Sequence, residues 1–214
     1  MLDLIADIRR DYMLKTLTES DVHTDAIAQF EIWWKEAIDS KIDEVNAMTL
    51  ATASSDGVPA ARIVLMKGFS RDGFIFYTNY DSFKGRQLSE NPRACLVFFW
   101  KELERQVRIT GLVSRTNAVE SDDYFNSRPV GSRLSAIVSP QSRVISGRDW
   151  LEAQAQKIAA LNEGKPLQRP AHWGGFLVNP VTIEFWQGRS NRLHDRLQYS
   201  LNEDGTWTIE RLAP

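Results

Sequence analysis

Across residues 47–114 the chain breaks into short apolar runs separated by turn residues, and this pattern limits the possible folds more than any other feature. Residues 48–52 are short and apolar, Ser55-Asp56-Gly57 supplies turn chemistry, and residues 60–66 run extended. Arg71-Asp72-Gly73 is a second hairpin signal leading into residues 74–78, and residues 94–100 and 106–113 are two further strands. Short strands at close spacing, joined by Asp-Gly turns, are the signature of an antiparallel barrel or sandwich. Helices interrupt the pattern. Residues 25–40 carry a broad apolar stripe of Ile27, Phe30, Ile32, Trp33, Trp34, Ala37 and Ile38, with Asp25 near its start. Residues 82–89 form a short helix ended by Asn91-Pro92, and residues 117–127 a second one stopped by Pro129. Residues 147–161 form a third, with Trp150, Leu151, Ala155, Ile158 and Leu161 on its apolar face. Residues 181–187 alternate as a strand does, and residues 196–201 and 206–212 flank the hairpin turn Asn202-Glu203-Asp204-Gly205. The expectation is one α+β domain, residues 1–214, built around a small barrel.

Composition narrows the function classes. Hydrophobic residues make up 43% of the chain and charged residues 25%, which suits a globular protein and not a disordered one. A net charge of −2 leaves no global basic field for nucleic acid, so any cationic site must be local. The single cysteine, Cys95, rules out an intrachain disulfide and reads as a buried thiol; with three histidines it makes a structural zinc site unexpected. No run approaches the ~18 consecutive apolar residues of a membrane span. Asp3 and Asp7 interrupt the N-terminal stretch, which lacks the basic start and apolar core of a secretory signal, so the expected location is the cytoplasm.

The chain has no G-x-S-x-G elbow, no H-E-x-x-H, no G-x-x-x-x-G-K-[ST] loop and no G-x-G-x-x-G after a strand. A bound phosphate must therefore be held by side chains. Four clusters could do so. Arg62 and Lys67 bracket the apolar run Ile63-Val64-Leu65-Met66; their odd separation puts them on opposite faces of a regular strand unless it bends or ends near Lys67. Tyr77, Thr78 and Lys84 lie at a strand end and a helix start, which suits an anion and equally suits simple capping by Asp81 or Ser82. Tyr124 and Arg128 are four apart on a helix, with Ser132 beyond Pro129; they can clamp a phosphate or form ordinary surface pairs. Arg192, His194 and Arg196 share one face if that stretch is extended, either as an anion site or as an ion-pair network with Glu184 or Asp195. Composition and spacing thus reach two anionic ligands on a β scaffold and name no cofactor.

The runs R-I-V-L-M-K (62–67), F-Y-T-N (76–79), N-P-R (91–93), L-E-R-Q-V (103–107) and Y-F-x-S-R-P (124–129) resemble the pyridoxamine 5'-phosphate oxidase family. So do W-G-G-F (173–176), I-E-F-W-Q-G (183–188), R-L-H-D-R (192–196) and the terminal R-L-A-P, collinear over nearly the whole chain. The resemblance implies an FMN-binding split β-barrel with flanking helices, working as a homodimer with FMN at the interface. It implies FMN contacts from the run Arg62, Ile63, Val64, Leu65, Met66 and Lys67, and from Tyr77, Thr78, Lys84, Gln106, Gln141, Ser142, Trp186 and Arg196. It implies contacts from Lys67, Tyr124, Arg128, Ser132, Arg192 and His194 to the substrates pyridoxamine 5'-phosphate and pyridoxine 5'-phosphate, with Arg192 and His194 at the reacting carbon. Arg9 and Tyr12 match an N-terminal segment, within residues 1–20, that closes over the substrate. The implied reaction passes a hydride from C4' to the flavin and yields pyridoxal 5'-phosphate, with O2 reduced to H2O2. Two positions depart from the family pattern: Phe83 stands where a basic residue is common, and residues 13–16 lack paired glycines. Rival readings are a related FMN oxidase of another small aromatic ring, such as a phenazine precursor, and a non-catalytic FMN or pyridoxal phosphate binder.

Overall fold

A computed structural model describes residues 11–214. Five α-helices occur among the described residues: α1 (Ala26–Asp39), α2 (Phe83–Glu90), α3 (Ala118–Ser127), α4 (Val130–Val138) and α5 (Arg148–Leu161). The strands are β1 (Ala47–Ala53), β2 (Pro59–Leu65), β3 (Gly68–Ser70), β4 (Gly73–Asn79), β5 (Arg93–Trp100), β6 (Arg105–Arg115), β7 (Trp173–Gln187), β8 (Asp195–Leu201) and β9 (Trp207–Arg211). They hydrogen-bond in the order β2-β1-β5-β6-β7-β4-β3, and β7 also carries β8, which carries β9. The class is α+β, as the strand and helix signals indicate. No helix of the described residues is long and apolar enough to cross a membrane.

The chain divides into two compact units. The first contains the described residues up to Leu50, then Cys95–Gly111 and Pro180–Pro214. Here Asp25 caps α1, its carboxylate accepting the Ala28 N–H at 2.8 Å. The helix buries Phe30 against Phe98 (ring centroids 5.4 Å apart) and Trp33 edge-on to Phe185 (5.1 Å). Ile32 and Ile38 were expected on that buried stripe but are exposed, because the face that packs is narrower than the apolar pattern. Antiparallel pairs Thr182↔Ser200 through Gln187↔Asp195 set Trp186 opposite Arg196. Cys95 is half-buried rather than buried, and that burial pushes its thiol up.

The second unit contains Ala51–Ala94 and Leu112–Asn179. Its core joins Phe125, Ala136, Leu167 and Trp173, with Tyr77, Tyr124, Leu134 and Ile137 packed against them. Three elements were not foreseen, the shortest being β3. Residues beyond Pro129 form α4 rather than a turn, since a proline just before a helix costs no hydrogen bond. The strand expected from residue 181 begins at Trp173, and its first half pairs with β4 from Asn79↔Trp173 to Phe74↔Val178. Gly175 hides that half from propensity, yet only glycine fits: a Cβ there would lie 2.5 Å from the Thr116 hydroxyl and 2.9 Å from the Tyr77 ring. In α5 no residue is fully buried: Leu151, Ala155 and Ile158 are half-buried, while Leu161 and Trp150 stand exposed, so its apolar stripe is only partly covered among the described residues.

Candidate active site

In the second unit, the end of β2, the end of β4 and the first turn of α2 surround a cavity of about 500 Å³, with the α3–α4 junction on its far wall. Arg62, Ile63, Val64, Leu65 and Lys67 line one side, Tyr77, Thr78, Lys84 and Gln141 another, and Tyr124, Arg128, Ser132 and Trp173 the third. Arg62 and Lys67 reach the same space because β2 ends at Leu65, so strand alternation no longer governs Lys67. Met66 does not line the cavity; its side chain is buried. Ser142 adjoins Gln141 on left-handed backbone (φ 69°) and is exposed outside the lining.

Of the two readings of the α2 start, the structure shows the cap. Ser82 caps the helix, accepting the Gly85 N–H at 3.2 Å, while Lys84 turns to the cavity. There its Nζ donates to Gln141 Oε1 (3.0 Å) and Thr78 Oγ1 (3.3 Å). Burial, and then the charge of Arg62, pull the Lys84 ammonium down. Arg62 donates to the Thr52 hydroxyl at 2.6 Å, a contact with no earlier signal in the sequence. Phe83, at the helix start, is exposed. Tyr77 and Tyr124 stack with centroids 3.9 Å apart, and Trp173 continues the aromatic wall at 5.6 Å from Tyr77. The Arg128 guanidinium sits 4.7 Å above the Trp173 ring. Its Nη1 is buried without a hydrogen-bond partner, and burial pulls its pKa down. Among the described residues lining this cavity, four are cationic (Arg62, Lys67, Lys84, Arg128) and none is a carboxylate. Such a set favours an anion between its members.

The first unit holds a second cluster. His194 lies against Trp186 (centroids 4.6 Å) and near Tyr12 (6.0 Å), and Tyr12 meets Trp186 edge-on at 5.8 Å. The Arg189 N–H donates to His194 Nδ1 at 3.1 Å, which leaves the proton of the neutral ring on Nε2. Burial, and then the charge of Arg192, lower the His194 pKa and favour that neutral form. The expectation of an extended run through Arg192 is corrected: Ser190–Arg192 is a single 3-10 turn, with Asn191 (φ 55°) and Arg192 (φ 61°) left-handed. The arginine–histidine–arginine set therefore does not share a strand face; Arg192 is exposed and strand pairing starts at Asp195. Arg196 realises the ion-pair alternative, donating from Nε to Glu184 Oε1 at 2.8 Å. Arg108 donates to the other oxygen of Glu184. Gln106 is half-buried in β6. Arg9 lies outside the described residues.

Glu184 is buried, which pushes its carboxyl up, but hydrogen bonds and charges from Arg196 and Arg108 more than offset this and hold it low. A depressed folded pKa means stability that is present above the unfolded value and lost as pH falls through the folded one. Glu184→Gln should therefore cost about 1–3 kcal/mol at pH 7. The gap to wild type should shrink as pH drops below about 4.3. Urea unfolding at several pH values checks it; a gap that stays constant with pH would reject the ion pair as its source.

The chain matches the family described as "Pyridoxamine 5'-phosphate oxidase" over residues 34–162, and "Pyridoxine 5'-phosphate oxidase C-terminal dimerisation region" over residues 173–214. A relative from Cupriavidus metallidurans, named pyridoxine/pyridoxamine 5'-phosphate oxidase, is 54% identical over 211 residues, covering 98% of this chain and 99% of that one. One of the same name from Trichormus variabilis is 53% identical over 210 residues, covering 98% of each. Among solved structures, PhzG from Burkholderia lata, in complex with tetrahydrophenazine-1-carboxylic acid, superposes with a TM-score of 0.87 at 31% identity, covering 94% of this chain and 99% of that one. A pyridoxamine 5'-phosphate oxidase-related, FMN binding protein from Nostoc punctiforme shares the fold, with a TM-score of 0.70 at 19% identity over 88% of this chain and 99% of that one.

Proposed function

The chain belongs to the pyridoxamine 5'-phosphate oxidase family, and on that footing we propose that it oxidises pyridoxamine and pyridoxine 5'-phosphates to pyridoxal 5'-phosphate as an FMN-dependent homodimer. The observation that carries the reading is the cavity with four cations and, among the described residues, no carboxylate, in which Arg128 Nη1 is buried with no hydrogen-bond partner among those residues. Two phosphorylated ligands satisfy it. The residues fit FMN: Arg62 and Lys84, with the Thr78 hydroxyl and the Gln141 amide, offer donors to its phosphate, and Lys67 stands free of strand alternation to reach its ring. Gln106, Ser142, Trp186 and Arg196 complete that assignment. FMN lies at the interface of two copies, and Ile63 of β2, an apolar side chain left 65% exposed in one chain, is suited to cover from the other.

Bound FMN supplies a two-electron acceptor for the hydride that leaves C4' of the substrate, and O2 then takes those electrons to give H2O2. Tyr124, Arg128 and Ser132 hold the substrate phosphate through charge-assisted hydrogen bonds. The aromatic wall of Tyr77, Tyr124 and Trp173 keeps water from the guanidinium and strengthens its hold. His194, neutral with its Nε2–H directed away from Arg189, and Arg192 beside it orient the pyridine ring and C4'. Tyr12 covers the substrate. The amine substrate leaves as an imine, which water converts to the aldehyde and ammonia; the alcohol gives the aldehyde directly.

The test is direct. The purified protein should show flavin absorbance that bleaches anaerobically on addition of pyridoxamine 5'-phosphate; a bound flavin that never bleaches would leave a binding protein. Bleaching by a reduced phenazine precursor such as tetrahydrophenazine-1-carboxylic acid and not by the B6 phosphates would favour the related-oxidase reading. Within this site, Lys84→Met should weaken FMN binding about ten- to a hundredfold, the worth of one charged hydrogen bond. Equilibrium dialysis of FMN against the apoprotein measures it, and an affinity within twofold of wild type would take Lys84 off the phosphate.

A further inference from the structure

In the first unit, Glu104 is 2% exposed and sits on left-handed backbone (φ 55°) between a 3-10 turn and β6. Its Oε2 accepts the backbone N–H groups of Met13 (2.9 Å) and Leu14 (3.1 Å), some ninety residues away in sequence. Its carbonyl accepts the Gly188 N–H at 2.7 Å and the Gln187 side-chain amide at 3.2 Å. One residue thus ties the stretch after Tyr12 to the end of β7, where Trp186 and Gly188 lie. Gly188 completes the seat: a Cβ there would fall 2.7 Å from Tyr12 Cγ, so the phenol packs directly on its backbone. Tyr12 then stands edge-on to Trp186 and beside His194, at the head of a cavity of about 470 Å³ shared with Arg189 and Ser190.

The rest of this stretch has other fasteners. Lys15 pairs with Glu36 (2.9 Å), and the Leu17 N–H donates to Asp195 (3.1 Å). Glu104 is the fastener nearest Tyr12, and it pins backbone rather than side chain. We propose that Glu104 is a positioning residue for the oxidase: it fixes the backbone after Tyr12 and so holds the phenol over the Trp186–His194 pair, where it covers the substrate. This rests on the reading of Tyr12 and His194 as substrate contacts. It adds a residue that touches neither ligand and acts through Tyr12.

The test uses FMN-loaded Glu104→Ala, Glu104→Gln, Tyr12→Ala and the Glu104→Ala/Tyr12→Ala double variant. Glu104→Ala should speed amide exchange at Met13 and Leu14 at least about tenfold, with Leu17 unchanged. It should raise KM for pyridoxamine 5'-phosphate roughly tenfold at unaltered FMN content. Glu104→Gln should recover most of both effects, because an amide oxygen still accepts the two N–H groups, and it serves as the folded variant if alanine at this buried position unfolds the chain. Its amides should then exchange only slightly faster than wild type; full exposure with wild-type KM overturns the proposal. The double variant should be no worse than Tyr12→Ala, since both act through one contact. Additive losses overturn the proposal, as does unchanged exchange in Glu104→Ala, and either leaves the substrate assignment standing. A neutral Tyr12→Ala removes Tyr12 from the substrate and takes this proposal with it.

Discussion

Arg128→Ala should raise KM for pyridoxamine 5'-phosphate by about ten- to a hundredfold while kcat and FMN content change little. A hydrogen bond to a charged group is worth ~1.5–3 kcal/mol, which converts to that range. The upper part applies here because part of the guanidinium is buried. Arg128 Nη1 is buried with no partner, and the guanidinium lies over Trp173 beside the Tyr77–Tyr124 stack. Burial lowers its pKa, so the unliganded site is charged at a cost that an arriving phosphate relieves. The binding would be uniform between ground and transition states, since the phosphate is remote from C4'; hence the effect falls on KM. Arg128→Lys should recover only part of the loss, because a lysine keeps the charge without the planar fork. Steady-state kinetics with phosphorylated substrate decide it: a wild-type KM in Arg128→Ala would take the residue out of the phosphate site.

Arg192→Ala should lower kcat/KM about a hundredfold with FMN occupancy intact. Misplacing a reacting carbon by about 1 Å costs on this order, and Arg192 is assigned to orient the pyridine ring. The backbone supports a specific placement. Arg192 is held at φ 61°, a region an arginine enters at a cost of roughly 1–2 kcal/mol, so the turn is imposed by its surroundings. A second readout is independent of turnover. The charge of Arg192 is one of the two causes that lower the His194 pKa, so its removal should move the His194 titration upward. Imidazole proton shifts followed by NMR across pH 5–8 would show it. Efficiency within threefold of wild type rejects the orienting role. An unmoved His194 titration rejects the coupling alone.

Much of the architecture was legible because it is local. The Asp25 cap, the turns at Asp56-Gly57 and Asp72-Gly73, and the hairpin at 202–205 depend on residues within a few positions, and strands and helices follow them closely. The failures share a cause. Helix α4 and the first half of β7 are set by what packs on them, so the proline and paired glycines that mark them misled a local reading. The partly covered stripe of α5 shows the converse, an amphipathic pattern that the described residues bury only in part.

The candidate site divides the same way. Residue types and collinear motifs identified the family and most of the side chains that line the cavity. They could not show which cations are neutralised from within. The chain has 28 acidic and 26 basic residues, and sequence alone cannot say which of them meet. Folding sends Glu184 to Arg196 and Arg108 but, among the described residues, no carboxylate to the lining that holds Arg62, Lys67, Lys84 and Arg128. Nor could spacing reveal that Glu104 grips the backbone of Met13 and Leu14. Sequence determined the chemistry available, because side-chain identity and short-range backbone preference are written in it. Tertiary structure decided where charge is left uncompensated, because a Coulomb interaction depends on distance and burial, and both arise only when segments far apart in the chain are packed together.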